Sequence, residues 1–168
     1  MNTYVVVTLL AALATTWACS PPDTKLVVES CATDAQITFD PSQMSMSPYP
    51  ATLNKPIKLS YTAVNHGQPL DKVLFSVGLE FYGNLFWRCG WHKVPLPSTN
   101  VDACEIMKNC PLPSGQYSTT ATVDLTQYAS VIKEFVSDNT YYRVTLKFHD
   151  TKGNTIQCIR ASFVLDLQ

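Results

Sequence analysis

The sequence predicts an all-β domain, built as an antiparallel sandwich of two sheets. About seven runs of alternating apolar and polar residues have the period of a β-strand, and turn residues separate them. Most runs have one apolar face, which is typical of a strand that covers a core on one side and meets solvent on the other. A closed barrel made of the same strands is the alternative that this pattern leaves open.

The strands follow one another in a regular series. Alternation predicts them over 25–31, 35–39, 57–63, 73–81, 116–124, 142–149 and 156–167. Gly83-Asn84 is expected to interrupt the fourth run, which resumes at 85–87 and ends near Cys89. The proline-containing segment 40–50 is expected to be extended and irregular. Near Cys158 the apolar phase shifts by one residue, which predicts a β-bulge.

One segment departs from the strand period. Apolar residues at 128, 131, 132, 135 and 136 have the spacing of one face of an α-helix. Thr126 precedes them and is of a residue type that caps helix N-termini. We therefore expect a single helix over 128–136.

The first 18 residues predict a secretory signal peptide. An uncharged apolar run extends from Val5 to Ala14, which is shorter than the roughly 20 residues that a membrane-spanning helix needs. Thr16-Trp17-Ala18 follows, with small residues at both positions that a signal peptidase inspects. A buried N-terminal strand is the alternative. Residues 19–168 would then form a single domain that is large enough to bury its own core.

Six cysteines in a secreted chain predict disulfide bonds. If Cys19 is lost with the signal peptide, the remaining five leave one thiol unpaired; if it stays, it can partner Cys89. Pairing of Cys89 with Cys104 or Cys110 is the alternative, because spacing does not encode connectivity. Cys104 and Cys110 can also close a tight loop between themselves, which would feed the strand that begins at Gln116.

Composition and motifs argue against nucleic-acid binding and catalysis. The formal net charge is −1 and the chain contains no basic cluster. No nucleophile-elbow, zinc-protease or phosphate-loop motif occurs. Cys89 and His92 are close in sequence, but a structural cysteine beside a surface histidine is the expected arrangement in a secreted chain. We expect no enzymatic activity, no cofactor and no metal site.

Several short motifs resemble the ML (lipid-recognition) family. They are V-P-L-P at 94–97, D-A-C-E-I-M-K-N-C-P-L at 102–112, G-Q-Y-S at 115–118 and G-N-T-I-Q-C at 153–158, together with Cys31. Within that family the cysteine loop is most similar to the secreted cholesterol-transfer branch, and L-F-W-R-C at 85–89 to the ganglioside-activator branch. The resemblance implies an immunoglobulin-like sandwich whose sheets part at one end to hold a lipid. It also implies two disulfides, Cys31–Cys158 and Cys104–Cys110.

A lipid between two sheets would be held by inward-facing side chains, and each buried methylene contributes about 0.8 kcal/mol. Because the sheets pair their own backbone polar groups, the wall of such a cavity can be wholly apolar. The candidate ligand contacts are Leu59, Tyr61, Phe75, Val77, Leu79, Phe81, Phe86, Trp87, Val123, Tyr142, Val144, Leu146 and Phe148. The alternative is that these residues fill an ordinary core.

The implied function is that of a monomeric carrier in the secreted or endolysosomal space, which holds a sterol, a phospholipid or a glycolipid. Residues 85–87 and 94–97 could form the mouth of the cavity and touch membranes transiently. In an acidic compartment, histidine protonation is expected to strengthen attraction to anionic membranes. Two other hypotheses remain: a lipid-dependent protein-recognition module in innate defence, and a structural sandwich with a filled core.

Overall fold

The structure is a computed structural model that describes residues 19–20, 25–85, 88–96, 101–106, 110–124, 126, 129–135 and 140–166. The predicted signal peptide lies outside these residues. So do two candidate ligand contacts, Phe86 and Trp87, and both ends of the predicted helix, Tyr128 and Val136.

The described residues form eleven strands and two short helices. In chain order the strands are β1 (Val27–Ser30), β2 (Ile37–Phe39), β3 (Ser45–Ser47), β4 (Ala51–Thr52), β5 (Ile57–Asn65), β6 (Leu74–Leu85), β7 (Arg88–Val94), β8 (Val101–Asp102), β9 (Gly115–Val123), β10 (Thr140–His149) and β11 (Thr155–Asp166). The helices are α1 (Ala103–Ile106) and α2 (Ala129–Phe135). A 3-10 turn occupies Pro41–Gln43.

The strands make two sheets that are antiparallel except where β4 runs parallel to β11. The larger sheet has the order β1-β11-β10-β6-β7, with β4 added to β11 and β8 added to β6. In the smaller sheet β5 is central, with β2 and β3 on one side and β9 on the other. The predicted two-sheet sandwich is therefore confirmed, and the barrel alternative is wrong.

The sheets approach each other at one edge. There β11 lies against β2, and the 3-10 turn lies against both β1 and β5. Given this contact, the strand orders place β6 and β7 across from β9 at the opposite edge. We call the β2–β11 side the closed edge and the β6–β9 side the open edge.

Three sequence predictions about local structure are wrong in detail. Segment 40–50 contains the 3-10 turn and β3, since Met46 supplies a buried side chain opposite Leu59. β6 continues through Gly83-Asn84 because both residues stay in register with β7. For the same reason Cys89 lies inside β7, directly opposite Asn84, rather than at a strand end.

The predicted helix and bulge are present but differ in their details. α2 forms with Ile132 fully buried. The Asp124 side chain accepts hydrogen bonds from the Thr126 backbone N–H and hydroxyl, and the residues between Thr126 and α2 lie outside the described ranges. The bulge lies at Ile156, because the β10–β11 register passes from Phe148–Gln157 to His149–Thr155. It therefore precedes Cys158 by two residues.

Three disulfides join all six cysteines: Cys19–Cys89, Cys31–Cys158 and Cys104–Cys110. The last two are the pairs implied by the family resemblance. The first resolves the odd count, since Cys19 is the partner of Cys89. Cys31–Cys158 ties the chain just after β1 to β11 at the closed edge.

Candidate functional site

The space between the two sheets is the candidate site, and strand register determines which residues face it. On the larger sheet, directly paired residues of β6 and β10 share the inner face: Phe75 with Phe148, Val77 with Leu146, Leu79 with Val144, and Phe81 with Tyr142. On the smaller sheet, Leu59 and Tyr61 face inward from β5 and Val123 from β9. All eleven of the predicted ligand contacts that the structure describes therefore lie on the inner faces.

These eleven residues differ in burial. Seven are buried: Leu59, Tyr61, Leu79, Tyr142, Val144, Leu146 and Phe148. Four are only partly buried: Phe75, Val77, Phe81 and Val123. The partly buried residues all belong to β6 or β9, the strands of the open edge. Among the described residues, contact between β6 or β7 and β9 is less extensive than contact between β11 and β2.

Aromatic rings form much of the inner surface. The Phe75 and Phe148 rings stack with centroids 6.2 Å apart, and Tyr61 meets Phe39 edge-on at 6.1 Å. Phe81 lies 5.3 Å from the imidazole of His92, whose Nε2 is 3.1 Å from the carbonyl oxygen of Gly83. The inner surface is thus broad, apolar and rigid.

The inner surface is not wholly apolar, contrary to the sequence prediction. Three buried polar atoms on it have no hydrogen-bond partner within the described residues: Tyr142 Oη, Thr119 Oγ1 and Gln157 Nε2. Thr119 lies on the apolar phase of the 117–123 alternation, so its position could be inferred from sequence. Gln157 could not, because the bulge at Ile156 turns it inward.

Two further tyrosine hydroxyls belong to this polar group. Tyr61 and Tyr117 face inward from neighbouring positions of β5 and β9. Burial raises the pKa of Tyr117 to about 12. Burial, and then the neighbouring Tyr117, raise the pKa of Tyr61 still further. Both hydroxyls are therefore neutral hydrogen-bond donors throughout the physiological range.

The outer face of the larger sheet carries a separate cluster. The Arg143 guanidinium lies 3.7 Å from the centre of the Trp91 ring, which also contacts Tyr82 and Tyr141. Glu80 pairs with Arg143 at 3.8 Å. Cys89 lies on the same face, and its disulfide ties Cys19 to it. The packing of the cluster is therefore explained by contacts within the chain, without a ligand.

The described residues of the predicted mouth differ in exposure. Leu85, at the end of β6, is 44% exposed. Val94 is buried opposite Leu79, so the 94–97 run does not begin as an exposed rim. Pro97 lies outside the described residues.

The described residues contain neither a metal site nor a membrane-spanning helix. Within the described ranges no group of three or more histidine, cysteine, aspartate or glutamate side chains could hold a metal ion. No helix among the described residues has the length and apolar character needed to span a bilayer. An open surface cleft lies beside the Cys31–Cys158 disulfide, lined by polar residues that include Asp34 and Lys147, and it is separate from the inner faces.

Comparisons with known proteins agree with this architecture. The family model for the ML domain matches residues 25–165. The fold is similar to the crystal structure of a Niemann-Pick type C2 protein from the Japanese carpenter ant, with 16% identity, 83% of this chain and 99% of that chain covered, and a TM-score of 0.50. Chicken MD-1 complexed with lipid IVa is 12% identical, with 90% of this chain and 96% of that chain covered and a TM-score of 0.47. A search of curated proteins finds no match.

Proposed function

This chain belongs to the ML-domain family, and from that premise we propose that it binds a lipid between its two sheets. One observation carries the proposal. Inward-facing apolar side chains of β10 and β11 are buried, whereas four on β6 and β9 remain partly exposed: Phe75, Val77, Phe81 and Val123. An acyl chain or a sterol ring placed between those strands removes its own apolar surface and theirs from water.

The chain acts as a carrier that holds one sterol or acyl-chain lipid and exchanges it during brief contact with membranes. It does so as a monomer and without enzymatic activity. The three disulfides support work in an oxidising space, outside the cell or in an endolysosomal lumen. Leu85 is exposed at the end of β6. This exposure supports the assignment of the β6–β7 end of the sandwich as the membrane-facing end.

Two adjacent residues of β6 provide a matched test. Val77 faces inward and is partly exposed, whereas Ser76 lies on the opposite face of the same strand. Val77→Phe places extra volume in the proposed binding space, and Ser76→Phe places it outside. The protein is expressed through a secretory route, delipidated and titrated with the neutral lipid probe Nile red and with a fluorescent sterol.

We expect the unmodified protein to bind at least one probe and Val77→Phe to weaken that binding about tenfold or more. Ser76→Phe should bind as the unmodified protein does. Lipid extraction and mass spectrometry of the protein as secreted should recover a bound lipid. If the unmodified protein binds neither probe and carries no lipid, the structural-sandwich hypothesis replaces this one.

A further inference from the structure

Three buried hydrogen-bond donors on the inner faces have no partner among the described residues. They are the Tyr142 hydroxyl, the Thr119 hydroxyl and the Gln157 side-chain N–H group. Leaving such a donor buried and unpaired costs about 1–3 kcal/mol, so most buried donors in folded proteins are paired. Three on one internal surface therefore indicate that a group from outside the chain supplies acceptors there.

Tyr142 provides the clearest instance, because its chain neighbour Tyr141 has the opposite environment. Both residues lie in β10 and both are almost completely buried. Tyr141, on the outer face, donates its hydroxyl to the backbone carbonyl of Lys25 at 3.2 Å. Tyr142, on the inner face between its cross-strand neighbours Phe81 and Phe163, has no partner for its hydroxyl in the part of the chain that the structure describes.

Thr119 repeats the pattern on the facing sheet. It is 5% exposed, lies on β9 at the open edge and is paired in register with Tyr61. A threonine at this position covers apolar surface no better than the isosteric valine, and no described residue pairs with its hydroxyl. The two sheets thus each present an unpaired hydroxyl to the space between them.

The strands that carry Tyr142 and Thr119, and the strands paired with them, present no formal charge on their inner faces. At the inward-facing positions of β5, β6, β9, β10 and β11 there is no lysine, arginine, aspartate or glutamate. On β7, Arg88 shares the inward-facing phase opposite Leu85 but is exposed at the start of the strand. Charged residues of β5, β6 and β10, such as Lys58, Glu80 and Arg143, lie at outward-facing positions. An anionic group would lose its hydration there without gaining a counter-charge.

We propose that the ligand is an uncharged lipid with a hydrogen-bond acceptor in its buried portion, such as a carbonyl, ester or ether oxygen, and that the Tyr142 hydroxyl donates to that acceptor. Thr119 supplies a second donor from the facing sheet. This inference rests on the proposed function and narrows its ligand class. A plain hydrocarbon would leave both donors unpaired, and a carboxylate would be desolvated without a cation.

The test compares two ligands that share a chain length and differ in one group. Hexadecane and methyl palmitate are delivered from cyclodextrin, and their dissociation constants are measured by displacement of Nile red. The measurements use the unmodified protein, Tyr142→Phe and the control Tyr141→Phe. Each variant removes the hydroxyl of one of two adjacent tyrosines. Only the Tyr142 hydroxyl faces the proposed binding space.

Tyr142→Phe should raise the dissociation constant of methyl palmitate about tenfold and leave that of hexadecane unchanged. Its melting temperature should be equal to or above that of the unmodified protein, because an unpaired hydroxyl has been removed. Tyr141→Phe should lower the melting temperature and leave both dissociation constants unchanged. Thr119→Val provides a second measurement on the other sheet and should weaken methyl palmitate selectively by several-fold.

If Tyr142→Phe and Thr119→Val change neither ligand's affinity, or change both equally, the donors are paired with buried water or with nothing, and the inference is overturned. That result differs from failure of the proposed function, in which the unmodified protein binds neither Nile red nor either ligand. The inference would also be overturned if Tyr141→Phe weakened methyl palmitate binding as much as Tyr142→Phe does. The effect could not then be assigned to the hydroxyl that faces the binding space.

Discussion

At the closed edge, where β11 lies against β2, inward-facing side chains such as Phe163 and Ile37 are almost completely buried. At the open edge, Val77 on β6 and Val123 on β9 point inward yet remain partly exposed. Both edges are built from the same alternation of apolar and polar residues. The difference shows that the alternation sets which way a side chain points, whereas packing against the facing sheet sets whether it is buried.

The disulfides divide between these regions in the same way. Cys31–Cys158 joins the chain just after β1 to the neighbouring strand β11, both in the larger sheet, and Cys104–Cys110 fixes the loop that leads into β9. One therefore holds the outer strand of the closed edge within its own sheet, and the other shapes the chain before the open edge. This division makes the two edges separately testable.

The largest effect is expected from the disulfide of the closed edge. Replacing Cys31 and Cys158 with alanine opens a bond between residues 127 positions apart. The chain-entropy model gives a loss of about 4–5 kcal/mol in the free energy of unfolding, against about 2 kcal/mol for the short Cys104–Cys110 loop. Urea denaturation of the two double variants measures both values. Equal losses would mean that the closed edge does not depend on its long-range bond.

A paired truncation of phenylalanines compares the packing of the two edges. Phe163→Ala at the closed edge should lower the free energy of unfolding by about 3–5 kcal/mol, since the ring is 3% exposed. Phe75→Ala on β6 should cost about 1–2 kcal/mol, because part of its ring is already exposed. Lipid-free protein is used for both. A loss at Phe75 as large as that at Phe163 would indicate that the open edge is packed like a core.

The smallest effects should come from pH, and they differ between interior and surface. Burial raises the pKa of Tyr117 to about 12, so the fold favours its neutral form. That contribution is complete below the ordinary pKa of 10.0 and is lost as the pH rises toward 12. The absorbance at 295 nm that Tyr117 contributes, measured as the difference between the unmodified protein and Tyr117→Phe, should rise only where the urea midpoint falls.

On the surface, hydrogen bonds lower the pKa of three turn aspartates: the Ser42 side chain bonds Asp40, the Thr126 side chain bonds Asp124, and the Asn154 side chain bonds Asp150. Their contribution is present above the ordinary value of 3.8 and is lost as the pH falls below it. These groups and the tyrosines together predict a flat urea midpoint between about pH 5 and pH 9. A slope within that window would require a group outside this set.

Much of the fold could be predicted because alternation is a local signal. The strand at 57–63 and the strand at 142–149 were located to within three residues, and their inward-facing residues were assigned to the correct face. The helix was also found, because its period differs from that of a strand. The two disulfides implied by the resemblance form, whereas the partner of Cys89 depended on whether Cys19 is retained.

What could not be predicted depends on non-local pairing. β3 and β8 are too short for a period to be seen, and each forms because a longer strand offers it free hydrogen-bonding groups. The interruption expected at Gly83-Asn84 is absent, because pairing with β7 outweighs the weak strand preference of both residues. The unpaired interior donors were missed because hydrogen-bond satisfaction is a property of the folded neighbourhood.

The central claim is that a lipid lies between the sheets at the open edge, and photo-crosslinking tests it most directly. A fatty acyl ester with a mid-chain diazirine is bound, irradiated and located by peptide mass spectrometry. The account predicts labelling of inward-facing residues on β6 and β9, such as Val77 and Val123, with little on the outer-face residue Trp91. Labelling confined to Trp91 or to other outward-facing residues would contradict it.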